Sequence, residues 1–339
     1  MSHTHIRRPE PRAGIRTLQM LASACTLIAL QSACVAAQSA AVAGDGAANT
    51  DGMKVSFIAG ERSHGYGSHE HRAGSLLLAR LLTEHDENIE AVVHENGWPE
   101  DAAALNDTDV VVIFADGGGR HPALPHLDEL DRLMDQGVGL VLLHYAVEVP
   151  DEAGPRFVEW VGGFFDTHWS VNPHWLMKSL PLPEHPVSRG VVPYEIDDEW
   201  YFHMRFRDGM AGVQPILSAT APLTTMERPD GPHSGNPDVR AAVQRGEPQH
   251  LAWATERTGG GRGFGFTGAH WHWNWGHPMQ RRIVLNAILW AARAEVPAGG
   301  VDGGTVTMAD LEANQDFEPN QRFDRERWAS LVEQWERDF

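Results

Sequence analysis

The chain has 339 residues, 42% of them hydrophobic, and a formal charge of −19. That length supports one large core with an appendage. The first 43 residues hold Arg7, Arg8, Arg12 and Arg16 against Glu10, so the remainder carries −22, and so acidic a body argues against nucleic acid or an anionic membrane surface as partner.

Residues 1–43 read as an export signal. The basic start is followed by an apolar, small-residue stretch over 17–37, with cut sites at Ala37, Ala41 or Ala43. A single anchoring helix is the alternative, weakened by the polar and small residues. The expected location is therefore periplasmic or extracellular, with residues 44–52 as a linker. Leu30-Gln-Ser-Ala-Cys34 resembles a lipoprotein box shifted by one residue, so lipidation at Cys34 is a second, less favoured route to a membrane. Cys25 and Cys34 are the only cysteines. A body cut free of them has no disulfide, no zinc–thiolate site and no thiol nucleophile.

In chain order, Lys54 to Gly60 reads as a strand, followed by a loop with His64, His69, Glu70 and His71. Residues 73–85 carry Leu76, Leu77, Leu78, Leu81 and Leu82 on one helical face. Strands are expected at 89–93 and 109–115, the latter ending in Asp116-Gly-Gly-Gly and His121. A helix over 127–136 precedes the apolar run 139–143, which ends in His144, with Glu148 four residues on. Such alternation means βαβ units and a parallel sheet. From Pro150 the pattern loosens. A short helix near 157–161 leads to His168, Trp169, His174 and Trp175, then to an extended stretch over 194–203. A strand is expected at 213–219, a Pro- and Gly-rich surface excursion over 221–248, and strands at 250–255 and 263–267. The second of these runs into His270-Trp-His272, and residues 281–293 form a closing helix. Residues 53–297 thus make one domain, and 298–339 an acidic tail, docked or loose.

Several segments, taken together, resemble the ThuA-like (trehalose utilisation) proteins: Gly60-Glu-Arg-Ser-His64, Asp116-Gly-Gly-Gly, Gly139 to His144, Gly162-Gly-Phe-Phe-Asp-Thr-His168, Asp198-Glu199-Trp-Tyr and Phe266-Thr-Gly-Ala-His270. The resemblance implies a flavodoxin-like three-layer α/β sandwich with a mostly parallel central sheet, similar to class I glutamine amidotransferases. It also implies a role in processing disaccharides or glycosides, including 3-keto derivatives. The turn that holds the cysteine in those amidotransferases is occupied here by His144, so glutamine hydrolysis through a thioester is excluded.

Seventeen histidines follow residue 43, many at expected strand ends. In a parallel sheet these ends share one rim, where ligands bind. Three readings stay open. In the first, a divalent metal (Zn, Fe, Mn or Ni) is held by His168, His270 and His272, the last two sharing a face of an extended segment. In the second, His144, Glu199 and Asp116 act as acids and bases around a sugar without metal. In the third, the rings are buried and satisfied, and the scaffold binds carbohydrate without turnover. Substrate contacts are assigned to His64, His71, His121, His174, Trp200, Tyr201 and Trp271, since aromatic faces beside polar groups suit a pyranose. The leading expectation is an exported sugar-active lyase, hydratase, isomerase or hydrolase whose partner is a small-molecule sugar. The sequence carries no signal for oligomeric state.

Overall fold

A computed structural model describes residues 52–339. The expected export signal, its expected cut sites and both cysteines lie outside the described residues. The elements in order are β1 (Met53–Ala59), α1 (His71–His85), β2 (Ile89–His94), β3 (Val110–Phe114), α2 (Leu127–Asp135), β4 (Gly139–Leu143) and α3 (Gly154–Val161). Then come β5 (Gly163–Phe164), β6 (His174–Lys178), β7 (Glu195–Glu199), β8 (Arg205–Phe206), β9 (Val213–Thr220), α4 (Pro237–Gln244), β10 (Pro248–Glu256) and β11 (Arg262–Phe266). α5 (Pro278–Ala291), α6 (Met308–Glu312) and α7 (Arg325–Asp338) complete the chain.

Seven strands form one sheet in the order β2-β1-β3-β4-β11-β10-β9. The first five are parallel and the last two antiparallel. Strand periodicity sorts the apolar residues onto two faces. Val55, Phe57, Val112, Phe114, Val141 and Leu143 pack with α1 and α5. Ile58, Val111, Ile113, Leu140 and Leu142 pack with α2 and α3. This is a three-layer α/β sandwich with a mostly parallel central sheet. The parallel strands read as unbroken apolar runs because both faces are covered.

Two elements depart from the sequence reading. The excursion over 221–248 contains α4, which starts on an Asn236 cap with Pro237 in its first turn and buries Val239, Ala242 and Val243. Residues 174–178 form β6, which alternates out and in and pairs antiparallel with β7. The tail is docked. Val301, Val306, Leu311 and Val332 are buried in the same core as α1 and α5, and buried Arg281 pairs with Glu336 at 2.7 Å. Among the described residues, no helix is long and apolar enough to cross a membrane.

Candidate metal centre

β1, β3, β4 and β11 are consecutive neighbours in the sheet, with their carboxyl ends on one rim. His69 follows β1, Asp116 follows β3, His144 follows β4 and His270 follows β11. Glu199 reaches the same point from the last residue of β7. Sharp turns aim these side chains. His69, His144 and Ala269 have φ of 51°, 54° and 82°, a left-handed conformation that non-glycine residues adopt only when their surroundings impose it. Close backbone approach matters at Gly117, where a Cβ would stand 2.1 Å from the Tyr145 carbonyl oxygen.

One donor atom each from His69, His144, Glu199 and His270 lies within 4.8 Å of the other three. His69 Nε2 is 3.1 Å from His144 Nε2 and 3.0 Å from His270 Nδ1. Glu199 Oε2 is 3.1 Å from His270 Nδ1 and 3.6 Å from His144 Nε2. The tautomers follow from the outer partners. His144 Nδ1 faces the Thr267 carbonyl oxygen at 2.9 Å, which can only accept, so Nδ1 carries the proton. His69 Nδ1 faces Asp116 Oδ1 at 3.0 Å and donates to it. Both inner Nε2 atoms therefore present lone pairs to each other across 3.1 Å, an arrangement that is repulsive unless a cation or proton sits between them. Burial drives the pKa of both rings far down, which disfavours the proton.

Second contacts hold this set. Asp116 also accepts from Ser63 at 2.9 Å and pairs with Arg120. Fully buried Asp198 accepts from the Ala269 and Trp271 amides at 2.7 and 3.2 Å, which fixes the turn carrying His270. Tyr201 Oη lies 3.2 Å from His144 Nε2 and 3.3 Å from Glu199 Oε2. Burial pushes its phenol well above 10, so it stays a proton donor. Burial alone would raise Glu199, but the His270 hydrogen bond and the neighbouring imidazoles hold it below the usual range. The centre opens to solvent past His64, stacked on His69 at 3.6 Å, and past His174, 4.0 Å from Glu199. Their side chains are 40% and 48% exposed.

The structure thus brings together His144, Glu199, Asp116, His64, His174, Tyr201, His270 and, through its ring 4.6 Å from His270, Trp271. His71 lies behind them, 3.6 Å from Asp116 and fully buried. Other expected members fall elsewhere. His121 is buried with its Nε2 on the Ala146 carbonyl. Trp200 is a core residue, its indole bonded to the Ile196 carbonyl. His168 is exposed and outside the cluster. His272 is buried at the start of a 3-10 turn packed on α5, α6 and α7. A 3-10 turn begins at His272 itself, so the extended segment expected to set His270 and His272 on one face ends there. The donor that sequence reasoning left unassigned is His69. Its signal was the pair His69-Glu-His71 at the start of α1, opposite the Asp116 turn.

The ThuA family model, described as trehalose utilisation, matches residues 56–291. No curated protein sequence matches the chain. Among solved structures, a ThuA-like protein from Bacteroides uniformis is 14% identical, with a TM-score of 0.48, covering 70% of this chain and 91% of that one. A ThuA-like protein from Parabacteroides merdae is 13% identical, with a TM-score of 0.46, covering 73% and 92%. A glutamine amidotransferase from Methylobacillus flagellatus is 12% identical, with a TM-score of 0.35, covering 81% and 99%. The family match takes in every strand-end segment that builds the histidine cluster, and the chain belongs to the ThuA, or trehalose utilisation, family.

Proposed function

We propose that this is an exported, metal-dependent enzyme that processes a glycoside or disaccharide, including 3-keto forms. The family description points to a sugar-related role. One observation carries the metal reading: three imidazole nitrogens and one carboxylate oxygen converge, with the outer nitrogens of His69 and His144 already spent on acceptors. The four measured edges span 3.0–3.6 Å. A tetrahedral ion with bonds of about 2.1 Å needs edges of roughly 3.4 Å. The outer anchors on Asp116 and Thr267 are of the kind that orient metal-bound histidines.

A bound divalent ion would supply a Lewis acid for a sugar carbonyl or an activated water. The protein groups around it do the rest. Tyr201 offers a proton at a fixed position beside Glu199 and His144. His64 and His174 line the mouth, and burial lowers both below 6.5, so they are neutral at pH 7 and able to accept a proton. The basic start and apolar stretch 17–37 support export.

Elemental analysis of the purified protein, with calorimetric titration of Zn, Mn, Fe and Ni after chelation, tests the centre. About one equivalent of metal is expected. Absence of metal, with no binding on titration, would move the reading to acid–base chemistry by His144 and Glu199 without an ion, which the 3.1 Å His270–Glu199 contact then stabilises. Incubation with disaccharides and their 3-keto derivatives separates enzyme from binder. Binding without turnover in every case makes the protein a carbohydrate-binding one.

A further inference from the structure

A cleft of about 410 Å³ lies next to the metal centre. The loop after β1 walls it through Tyr66, β11's following turn through Trp271 and Trp273, and the docked tail through Phe323 and Trp328. Trp271 belongs to both places. Its ring is 4.6 Å from that of His270 and 5.6 Å from that of His174, and it also lines the cleft. On the other side, Gly65 and Ser68 of the cleft flank His64 and His69 in the chain.

The two kinds of surface in this cleft are what a pyranose presents. Tyr66, Trp271, Phe323 and Trp328 are all half-buried, so aromatic surface stays open to the cleft after the tail has docked. Trp273 backs them, stacked on Phe323 at 4.7 Å and nearly fully buried. At the rim stand Asp197 and Arg322, exposed, whose side chains form no hydrogen bond or ion pair with other described residues. They are free to accept from and donate to ring hydroxyls. A purely apolar ligand would leave them unused. Asp197 and Asp324 balance Arg322 and Arg327 in the lining, so the cleft has no excess positive charge to select a phosphorylated ligand.

We infer that this cleft is a second sugar subsite, built jointly by the β1 loop and the C-terminal tail, which takes the pyranose ring next to the one held at the metal centre. The inference rests on the sugar-directed reading above but not on the metal. The substrate is then at least a disaccharide, or a glycoside with a ring-sized aglycone, and residues 298–339 serve in recognition.

Saturation-transfer NMR and tryptophan fluorescence on the full chain, stripped of metal, provide the test with trehalose, maltose and cellobiose against glucose. Asp197→Ala changes an exposed side chain without touching the packing, and Trp328→Ala removes one aromatic wall. Each is expected to weaken binding of at least one disaccharide about tenfold, the size of a lost aromatic or hydroxyl contact, with glucose binding changed less than twofold. Metal content should stay at its wild-type level in both variants. Disaccharide affinity within twofold of wild type in both variants overturns the subsite, even if His144→Ala loses its bound metal and so upholds the metal centre. No saccharide binding of any kind overturns the sugar reading and the subsite together. Absence of metal from the wild type, with disaccharide binding weakened in both variants, overturns only the centre.

Discussion

Two populations of buried histidine share this molecule, and they differ in where their second nitrogen points. His121 gives its Nε2 to the Ala146 carbonyl and takes the Ala123 amide on Nδ1. His277 caps α5 through the Met279 amide and packs against Tyr194 and Trp335. The partners shown for these two rings are all local backbone groups, on both nitrogens of His121 and on Nδ1 of His277. At the sheet rim His69 and His144 spend only the outer nitrogen. The inner ones face each other and His270. Burial is similar in both groups, so burial does not mark function. What marks it is polar capacity left over and pointed at a common centre.

Substitution at the rim should give the largest separation. His144→Ala is expected to lower bound metal from about one equivalent to under a tenth, and to abolish the rise in Tm that added metal gives the wild type. Retention of metal by this variant, checked by elemental analysis, would break the distinction between the two populations.

Acid should act through both populations, since burial depresses the rim rings as well. Burial holds His121 and His272 at about 4 and His277 at about 3. The unfolded chain titrates them near 6.5. Below 6.5 the unfolded state takes up protons that the folded state refuses. Their contribution is therefore intact above pH 6.5 and is lost as pH falls toward 4. Metal-stripped protein should melt on the order of 10 °C lower at pH 5 than at pH 7. An unchanged Tm by calorimetry would show that these rings charge freely in the fold.

Next comes Asp198, which touches no donor position itself but ties the His270 turn to β7. Asp198→Ala leaves the Ala269 and Trp271 amides without their partner and should cost about 2–3 kcal/mol in urea unfolding. Metal affinity should fall with it by about 10–100-fold. Loss of stability with unchanged affinity would confine Asp198 to holding the fold. The smallest effect is outside the rim. His277→Ala removes a helix cap and should cost about 1 kcal/mol with metal content untouched.

The sheet was readable because a parallel strand covered on both faces is an apolar run, and the runs at 110–114 and 139–143 are unbroken. The convergence of strand ends was readable from the same rule that places ligands there. The choice among histidines was not. It depends on the left-handed turns at His69, His144 and Ala269, and on anchors such as Thr267 and Asp116 that lie 123 and 47 residues from the rings they hold. Spacing alone therefore favoured His270-x-His272, whereas His272 opens a 3-10 turn and is buried outside the cluster. α4 was hidden by the turn-rich composition around it, although Asn236-Pro237 before Val239, Ala242 and Val243 is a helix start.

His69 and His144 stand 75 residues apart in the chain, and His69 and His270 stand 201 apart. The described residues contain no cysteine with which to close loops of that length. An ion shared by these side chains would act as the missing staple, fastening distant parts of the polypeptide and shrinking the conformational freedom of the unfolded chain much as a covalent bridge does. Unlike a disulfide, such a fastening would survive a reducing agent and yield to a chelator.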